Sequence, residues 1–154
     1  LDVPILYAAL PSPTIRMLAK KELFDIPLWG GAIRAAEFIE VDRKNPVRAR
    51  ASIDQAARLL REGVSIFLAP EGTRSKDGTL RPLKKGGFHL ALATGAPIVP
   101  VRIRGTHELL PPGQLNMQTN RTVTVDIGAP VEVAGHSIES LMPVVESFLR
   151  NGLG

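Results

Sequence analysis

Apolar runs that predict β-strands alternate along this sequence with amphipathic runs that predict α-helices. The strand-like runs are short and rich in Val, Ile and Leu, and they lie at residues 14–19, 37–41, 64–69, 98–103 and 122–127. The helical runs lie at residues 27–36, 46–62, 87–94 and 141–149. This alternation predicts an α/β fold with a mixed, largely parallel open sheet flanked by helices.

The second helical run has the clearest signals at its ends. Asn45 is a favourable N-cap, Pro46 suits the first helical position, and Gly63 stands just past the last turn. By contrast, residues 106–120 show little periodicity and contain Pro111-Pro112-Gly113, so they predict a surface loop.

Composition narrows the class of protein but does not choose a function. The chain has 154 residues and no composition break, which predicts one domain with a real core. The net charge of +4 favours an anionic partner. The absence of cysteine excludes disulfides and thiolate metal sites. No apolar run reaches the roughly 18 residues that a membrane span needs, and a start at Leu1 without Met leads us to expect a piece of a longer protein.

The most chemically informative segment is the pentapeptide Glu71-Gly72-Thr73-Arg74-Ser75, which follows an apolar strand and Pro70. The guanidinium fork of arginine matches phosphate, and a glycine lets the backbone approach an anion closely. Arg43 also follows a predicted strand, and strand ends meet at one edge of an α/β sheet. A single arginine at a strand end usually forms only a weak surface ion pair. Two in matching positions favour a phosphate clamp.

These motifs resemble the glycerolipid acyltransferase family, which acylates lysophosphatidic acid and related glycerophosphates. The family's third sequence block stands unaltered at residues 71–75, and its second block is matched by Phe38-Ile39-Glu40-Val41-Asp42-Arg43. Its fourth block is matched by Ile98-Val99-Pro100-Val101, and Lys20-Lys21-Glu22-Leu23-Phe24 is similar to a basic stretch of bacterial members.

The family's first block, His-x-x-x-x-Asp, is matched only at its end. Asp2 corresponds to its aspartate, so the resemblance implies a catalytic histidine at the fourth position before Leu1. None of the three histidines within the chain, His89, His107 and His136, is followed by an aspartate at this spacing. We therefore expect a single acyltransferase domain at residues 1–154 that lacks the N-terminal segment with the catalytic histidine, and a fragment without activity by itself.

The resemblance implies a 1-acylglycerol-3-phosphate O-acyltransferase of phospholipid biosynthesis. The histidine is the general base on the acceptor hydroxyl, and Asp2 is a catalytic residue that orients the imidazole. Arg43 and Arg74 hold the acceptor phosphate. The full set of implied substrate-binding residues is Arg43, Glu71, Gly72, Thr73, Arg74, Lys20 and Lys21.

The implied partners are acyl-CoA or acyl-carrier protein, lysophosphatidic acid or a similar glycerophosphate, and a membrane surface on its cytoplasmic face. No cofactor, metal or nucleic acid is implied. Two alternatives remain at this level: a basic nucleic-acid-binding module and an inactive phosphate-binding remnant. Only 5% of the residues are aromatic, which supplies a base-stacking surface poorly and weighs against the first.

Overall fold

The computed structural model describes residues 2–10, 15–42, 44–73, 75, 78–109, 118 and 120–152, with Asp2 described by its backbone only. The elements follow in chain order as α1 (Asp2–Ala9), β1 (Ile15–Lys20), α2 (Lys21–Phe24), α3 (Trp29–Ala35), β2 (Ile39–Val41), α4 (Pro46–Arg61), β3 (Ser65–Phe67), α5 (Gly86–Thr94), β4 (Val101–Arg104), α6 (Thr106–Leu109), β5 (Thr124–Ile127) and α7 (Ile138–Asn151). The chain divides into two compact units. Unit 1 consists of Leu1–Ser12 and Ala69–Gly154, and unit 2 is Pro13–Leu68.

Unit 2 is built on a parallel three-stranded sheet in the order β2-β1-β3. Leu18 pairs with Ile39 on one side of β1, and Ile15 pairs with Ser65 on the other. The central strand alternates buried and half-buried residues, as expected where a sheet has one well-covered face. The sheet confirms the predicted α/β class.

Helix α4 connects β2 to β3 and packs against both strands. Its small residues Ala56 and Ala57 are buried, which lets the helix approach the sheet closely. Buried Ser52 donates its hydroxyl hydrogen to the carbonyl oxygen of Glu40 at 2.6 Å, so its polar atom is satisfied. The predicted caps are confirmed: the Asn45 side chain accepts a hydrogen bond from the backbone N–H of Arg48 at 3.1 Å.

Unit 1 has its core where α5 packs against α7. The buried members of this core are Leu83, Phe88, Ala91, Val133, Leu141 and Val145. Helix α5 ends at Gly95, whose φ of 71° is the left-handed conformation that glycine adopts without strain. The predicted helix at 87–94 and its stop at Gly95 are therefore confirmed.

Strands β4 and β5 form an antiparallel pair in unit 1, with Val101 opposite Ile127 and Arg104 opposite Thr124. The predicted strand at 98–103 was placed too early. Pro100 has no backbone N–H to donate, so the regular hydrogen bonding of β4 with β5 begins at the next residue, Val101. Upstream of Pro100, an isolated antiparallel bridge joins Ile98 to Val131.

Other predicted boundaries were wrong for local reasons. The helix expected from residue 27 begins at Trp29, because Leu28 has a φ of 64° that no right-handed helix allows. Strand β2 begins at Ile39 and not at residue 37, because Glu37 also has positive φ and closes the turn after α3. Helix α7 begins three residues before its predicted start, at a capping box formed by Ser137 and Ser140.

Three short helices were not predicted. Helices α1 and α2 fall in stretches that had no helical prediction, and α6 lies within the expected loop at 106–120, of which residues 110–117 and 119 fall outside the described part. Within the part of the chain that is described, no helix has the length and apolar character needed to cross a bilayer.

Candidate functional site

The described residues of the predicted pentapeptide, Glu71, Gly72, Thr73 and Ser75, belong to unit 1, in the segment between Pro70 and Lys84 that is here called the Glu71 loop. The backbone N–H of Lys84 donates to the carbonyl oxygen of Pro70 at 2.8 Å and closes the loop at its base. Above this bond, Glu71 Oε2 accepts from the backbone N–H of Arg81 at 2.9 Å. The carboxylate therefore fixes the two sides of the loop to each other across ten residues.

Gly72 makes the turn that follows Glu71. It is buried and has a φ of 73°, and its N–H donates to the carbonyl oxygen of Ala69 at 3.1 Å. A side chain at this φ would be strained, which explains the glycine in the middle of the pentapeptide. Thr73 beside it is exposed, so its hydroxyl faces solvent where a ligand can reach it.

In unit 2 the structure joins Lys21 and Asp42. Their charged groups are 3.5 Å apart, and the Asp42 side chain is only 16% exposed. Each residue directly follows a strand, and Lys20 pairs with Val41 in the parallel register, so the next residue on each strand falls alongside. The pairing of Lys21 with Asp42 was missed at the sequence level, although the strand ends contained the signal for it.

Asp42 also shapes the turn between β2 and α4. Its Oδ1 accepts from the backbone N–H of Lys44 at 3.1 Å, which ties residues 42 and 44 together. Burial by itself raises the pKa of the Asp42 carboxyl. The Lys44 hydrogen bond and the Lys21 ammonium outweigh burial and hold that pKa below its ordinary value of 3.8. Asp42 is therefore ionised at neutral pH and keeps a cation at the carboxyl edge of the sheet.

The remaining predicted residues divide between described and undescribed parts of the chain. Arg43 and Arg74 lie outside the described residues, as does the side chain of Asp2, whose backbone is the first residue of α1. Lys20 is exposed at the end of β1. The structure thus groups Lys20 and Lys21 in unit 2, and Glu71, Gly72 and Thr73 in unit 1.

The three histidines within the chain lie apart from the predicted site residues in the contacts they make. His136 Nδ1 lies 3.0 Å from the Ser140 hydroxyl, next to the capping box that starts α7. The His107 ring packs over Gly78, where an added Cβ would lie 2.7 Å from Cε1. His89 is exposed on α5.

A cavity of about 260 Å³ in unit 2 lies away from the predicted site. It is lined by Arg16, Glu37, Phe38, Gln55 and Leu59. Arg16 is near the start of β1, and Glu37 precedes β2, so the cavity is at the amino ends of these strands. Its two charged lining residues are paired with each other, since Arg16 Nε donates to Glu37 Oε2 at 2.8 Å. Ligands of α/β sheets bind at the opposite, carboxyl edge.

The described residues contain no group of three or more His, Cys, Asp and Glu side chains that could hold a metal ion. The described site residues of unit 1 are a buried glycine, an anchored carboxylate and an exposed hydroxyl on one loop, and those of unit 2 are two lysines at a strand end. Comparison with protein families identifies the family to which these residues belong. A family model described as "Acyltransferase" matches residues 1–104, about two thirds of the chain.

The chain belongs to the acyltransferase family.

Similar proteins agree with this assignment. A 1-acyl-sn-glycerol-3-phosphate acyltransferase of Cocos nucifera is 36% identical over 94% of this chain and 47% of its own length. An enzyme of the same name from Haemophilus influenzae is 35% identical over 84% of this chain and 53% of its own. The chain thus spans about half the length of these curated relatives.

The fold is also that of a solved member of the acyltransferase family. The crystal structure of the 1-acyl-sn-glycerophosphate (LPA) acyltransferase PlsC from Thermotoga maritima matches with a TM-score of 0.80 and 32% sequence identity. The match covers 97% of this chain and 58% of that protein. It confirms the acyltransferase fold that the sequence motifs predicted.

Proposed function

We propose that the protein containing this acyltransferase chain transfers a fatty acyl group to the free hydroxyl of lysophosphatidic acid or a related glycerophosphate. The donor is acyl-CoA or acyl-carrier protein, and the product with lysophosphatidic acid is phosphatidic acid. The observation that carries the proposal is the Glu71 loop, which begins with the unaltered family pentapeptide and in which the Glu71 carboxylate accepts a hydrogen bond from the backbone N–H of Arg81. The relatives from Cocos nucifera and Haemophilus influenzae are 1-acyl-sn-glycerol-3-phosphate acyltransferases, which supports the same acceptor.

In this reaction a histidine at the fourth position before Leu1 accepts the proton of the acceptor hydroxyl. The hydroxyl oxygen attacks the thioester carbonyl carbon, a C–O bond forms and the C–S bond breaks. The imidazolium then returns the proton to the leaving thiolate. Asp2 holds the ring in the required tautomer and stabilises its charged form.

The acceptor phosphate carries nearly two negative charges, and in this proposal cationic side chains bind it. Arg43 and Arg74 supply the bidentate contacts, because a guanidinium fork matches two phosphate oxygens. Lys20 and Lys21 add point charges. Asp42 orients the Lys21 ammonium, which has further N–H groups available beyond the one directed at the carboxylate.

In this proposal the Glu71 loop also contacts the acceptor. The anchored Glu71 carboxylate sets the path of the loop, buried Gly72 allows close backbone approach, and the exposed Thr73 hydroxyl faces the glycerol. Because acceptor and product are lipids, we place the reaction at a membrane surface. We assign it to the cytoplasmic face, where soluble acyl donors are present, and the net charge of +4 favours an anionic surface there.

The test is an acyl-transfer assay on the chain extended upstream to include the first sequence block. We expect transfer from acyl-CoA or acyl-carrier protein to lysophosphatidate. Arg43→Ala and Arg74→Ala should each raise the KM for the acceptor about tenfold or more, the effect of losing one charged hydrogen-bonding group. Arg58→Ala, on the exposed side of α4, is the matched control and should leave KM within about twofold.

Different failures have different meanings. An unchanged acceptor KM in both arginine variants would show that these arginines do not bind the acceptor phosphate. The proposed acyl-transfer reaction would not be affected by that result. Glycerophosphate binding without any turnover would identify a phosphate-binding remnant. Salt-sensitive binding to a random oligonucleotide, without acyl transfer, would replace the proposal by a nucleic-acid-binding module.

A further inference from the structure

A strained turn joins α2 to α3 and presents a leucine to solvent. The N–H of Trp29 donates to the carbonyl oxygen of Pro27 at 2.7 Å, and Leu28 between them has φ 64° and ψ −50°. This is a three-residue γ-turn of the positive-φ type, which is rare and strained for a residue with a side chain. The Leu28 side chain is 95% exposed, so no packing in the chain compensates for the strain.

The turn is held rigidly from beneath by Phe24 and Gly30. Phe24 is buried, and its carbonyl oxygen accepts from Arg34 Nη1 at 2.8 Å, while the same guanidinium lies 5.4 Å from the centre of its ring. Gly30 passes so close that a Cβ there would lie 2.1 Å from the Phe24 carbonyl oxygen. The exposed leucine therefore sits on a fixed support and not on a loose loop.

Four of the eight large hydrophobic residues that are exposed in the described structure lie within residues 23–29, which are this turn and the adjoining ends of α2 and α3. They are Leu23, Ile26, Leu28 and Trp29. Scattered exposed apolar residues are ordinary, but a cluster of this kind on a monomer indicates an interaction surface. None of the four lines the cavity of unit 2, so the cluster is not the mouth of that pocket.

We propose that this cluster inserts into the interfacial layer of an anionic lipid bilayer. Aliphatic side chains beside a tryptophan match the apolar-to-polar gradient of that layer. Unit 2 contains ten Lys and Arg against seven Asp and Glu, which accounts for three of the four net positive charges of the chain. Lys20, Lys21 and Glu22 precede the cluster, and Asp25 is the only charged residue within it, so the positive charge that favours an anionic surface belongs to unit 2 as a whole. The proposal rests on the proposed function in that a lipid acceptor requires such contact.

A protein partner fits the cluster less well. Four side chains on one turn offer far less than the roughly 800 Å² per partner that a stable interface buries. The interfacial layer needs no such area, because each inserted side chain contributes separately and surface charge adds to the attraction.

Trp29 is the only tryptophan of the chain, so its emission reports directly on the cluster. We expect a blue shift and quenching by brominated lipid when the chain meets vesicles of equal parts phosphatidylglycerol and phosphatidylcholine. Pure phosphatidylcholine should bind more weakly. Leu28→Gly should lower the vesicle affinity about tenfold, as the loss of one large apolar side chain implies. It should not lower folding stability, because glycine adopts positive φ without strain.

Val47→Ser is the matched control, since Val47 is 79% exposed on α4 of the same unit. It should change the vesicle affinity less than about twofold if insertion is confined to residues 23–29. An unshifted Trp29 emission, an equal loss in Val47→Ser, or full affinity in Leu28→Gly would each overturn the proposal. A dimer in sedimentation that Leu28→Gly dissociates would overturn it in favour of contact between copies.

The two proposals fail separately. In the upstream-extended chain, transfer to a short-chain, water-soluble lysophosphatidate should be unchanged by Leu28→Gly, while transfer to acceptor embedded in vesicles should fall with vesicle affinity. A wild-type chain that binds vesicles through Trp29 but transfers no acyl group would overturn the proposed function alone.

Discussion

Asp42 shows how one carboxylate can organise a strand end for binding. It lies beside Lys21 in the parallel register and also fixes the turn to α4 through Lys44. Its pKa is lowered, so the folded chain holds the ionised form more firmly than the unfolded chain does. The stabilisation from this group is therefore complete above its unfolded pKa and is lost as the pH falls through the folded pKa.

Asp42→Asn should accordingly make the chain less stable at neutral pH, with a deficit that shrinks at acid pH. Urea unfolding at pH 7 and at about pH 3 measures this, and the wild type should lose more stability between the two than the variant does. Asp25→Asn, at an exposed position of the α2–α3 turn, is the control and should show a smaller change. An equal deficit at both pH values would mean that Asp42 acts through the shape of its side chain and not through its charge.

Gly72 should tolerate a side chain poorly. Gly72→Ala places a Cβ at a φ of 73° and should lower the free energy of unfolding by about 1–2 kcal/mol. Gly31→Ala is the control, because Gly31 lies in α3 and an added Cβ there meets nothing within 4 Å. Chemical denaturation compares the two, and equal stabilities would show that the loop relaxes around the new side chain.

At the scale of elements, α4 depends on its N-cap. Asn45→Ala removes the acceptor for the Arg48 N–H and should cost about 1 kcal/mol of stability. Asn45→Asp keeps an acceptor and should cost much less. Because α4 begins just after residue 43, the alanine variant should also weaken binding of the acceptor in the upstream-extended chain. Thermal unfolding and acceptor KM test the two effects, and an unchanged melting temperature in Asn45→Ala would contradict the first.

The sequence predicted those elements whose signals are local. Asn45, Pro46 and Gly63 mark α4 by backbone chemistry alone, and Gly95 marks the end of α5 in the same way. Helix α2 has only four residues, with Phe24 buried, and is too short to show the periodicity of hydrophobic residues that predicts a helix. The positive φ of Leu28 could not be predicted from the sequence either, because leucine rarely adopts this conformation.

The site was predictable in its residue types and only partly in its contacts. The pentapeptide and the strand-end lysines could be named from spacing and family resemblance. The partner of Glu71 could not, because it is a backbone N–H ten residues away whose position depends on how the loop closes at Pro70 and Lys84. The roles of Arg43, Arg74 and Asp2 stay predictions, since their side chains fall outside the described residues.

At the scale of the whole molecule, we expect a core substitution in one unit to destabilise that unit more than the other. Leu141 is fully buried in the core of unit 1, and Leu141→Ala should cost about 2–5 kcal/mol. Native-state hydrogen exchange should then accelerate more in α5 and α7 than in the sheet of unit 2. Ile39→Val, in that sheet, should produce the converse pattern at a smaller cost. Equal acceleration in both units would show that the chain unfolds as one cooperative body.

Unit 2 is one continuous segment, whereas unit 1 is assembled from segments on either side of it. During synthesis α1 therefore leaves the ribosome before unit 2, and residues 13–68 must follow before the rest of unit 1 emerges. At about 5–20 residues per second this takes several seconds. Eight residues are too few for a helix to be stable alone, so we expect α1 to remain unstructured during this interval. The parallel sheet is complete at Phe67, so unit 2, which carries Lys21 and Asp42, can take shape before the second segment of unit 1 has emerged.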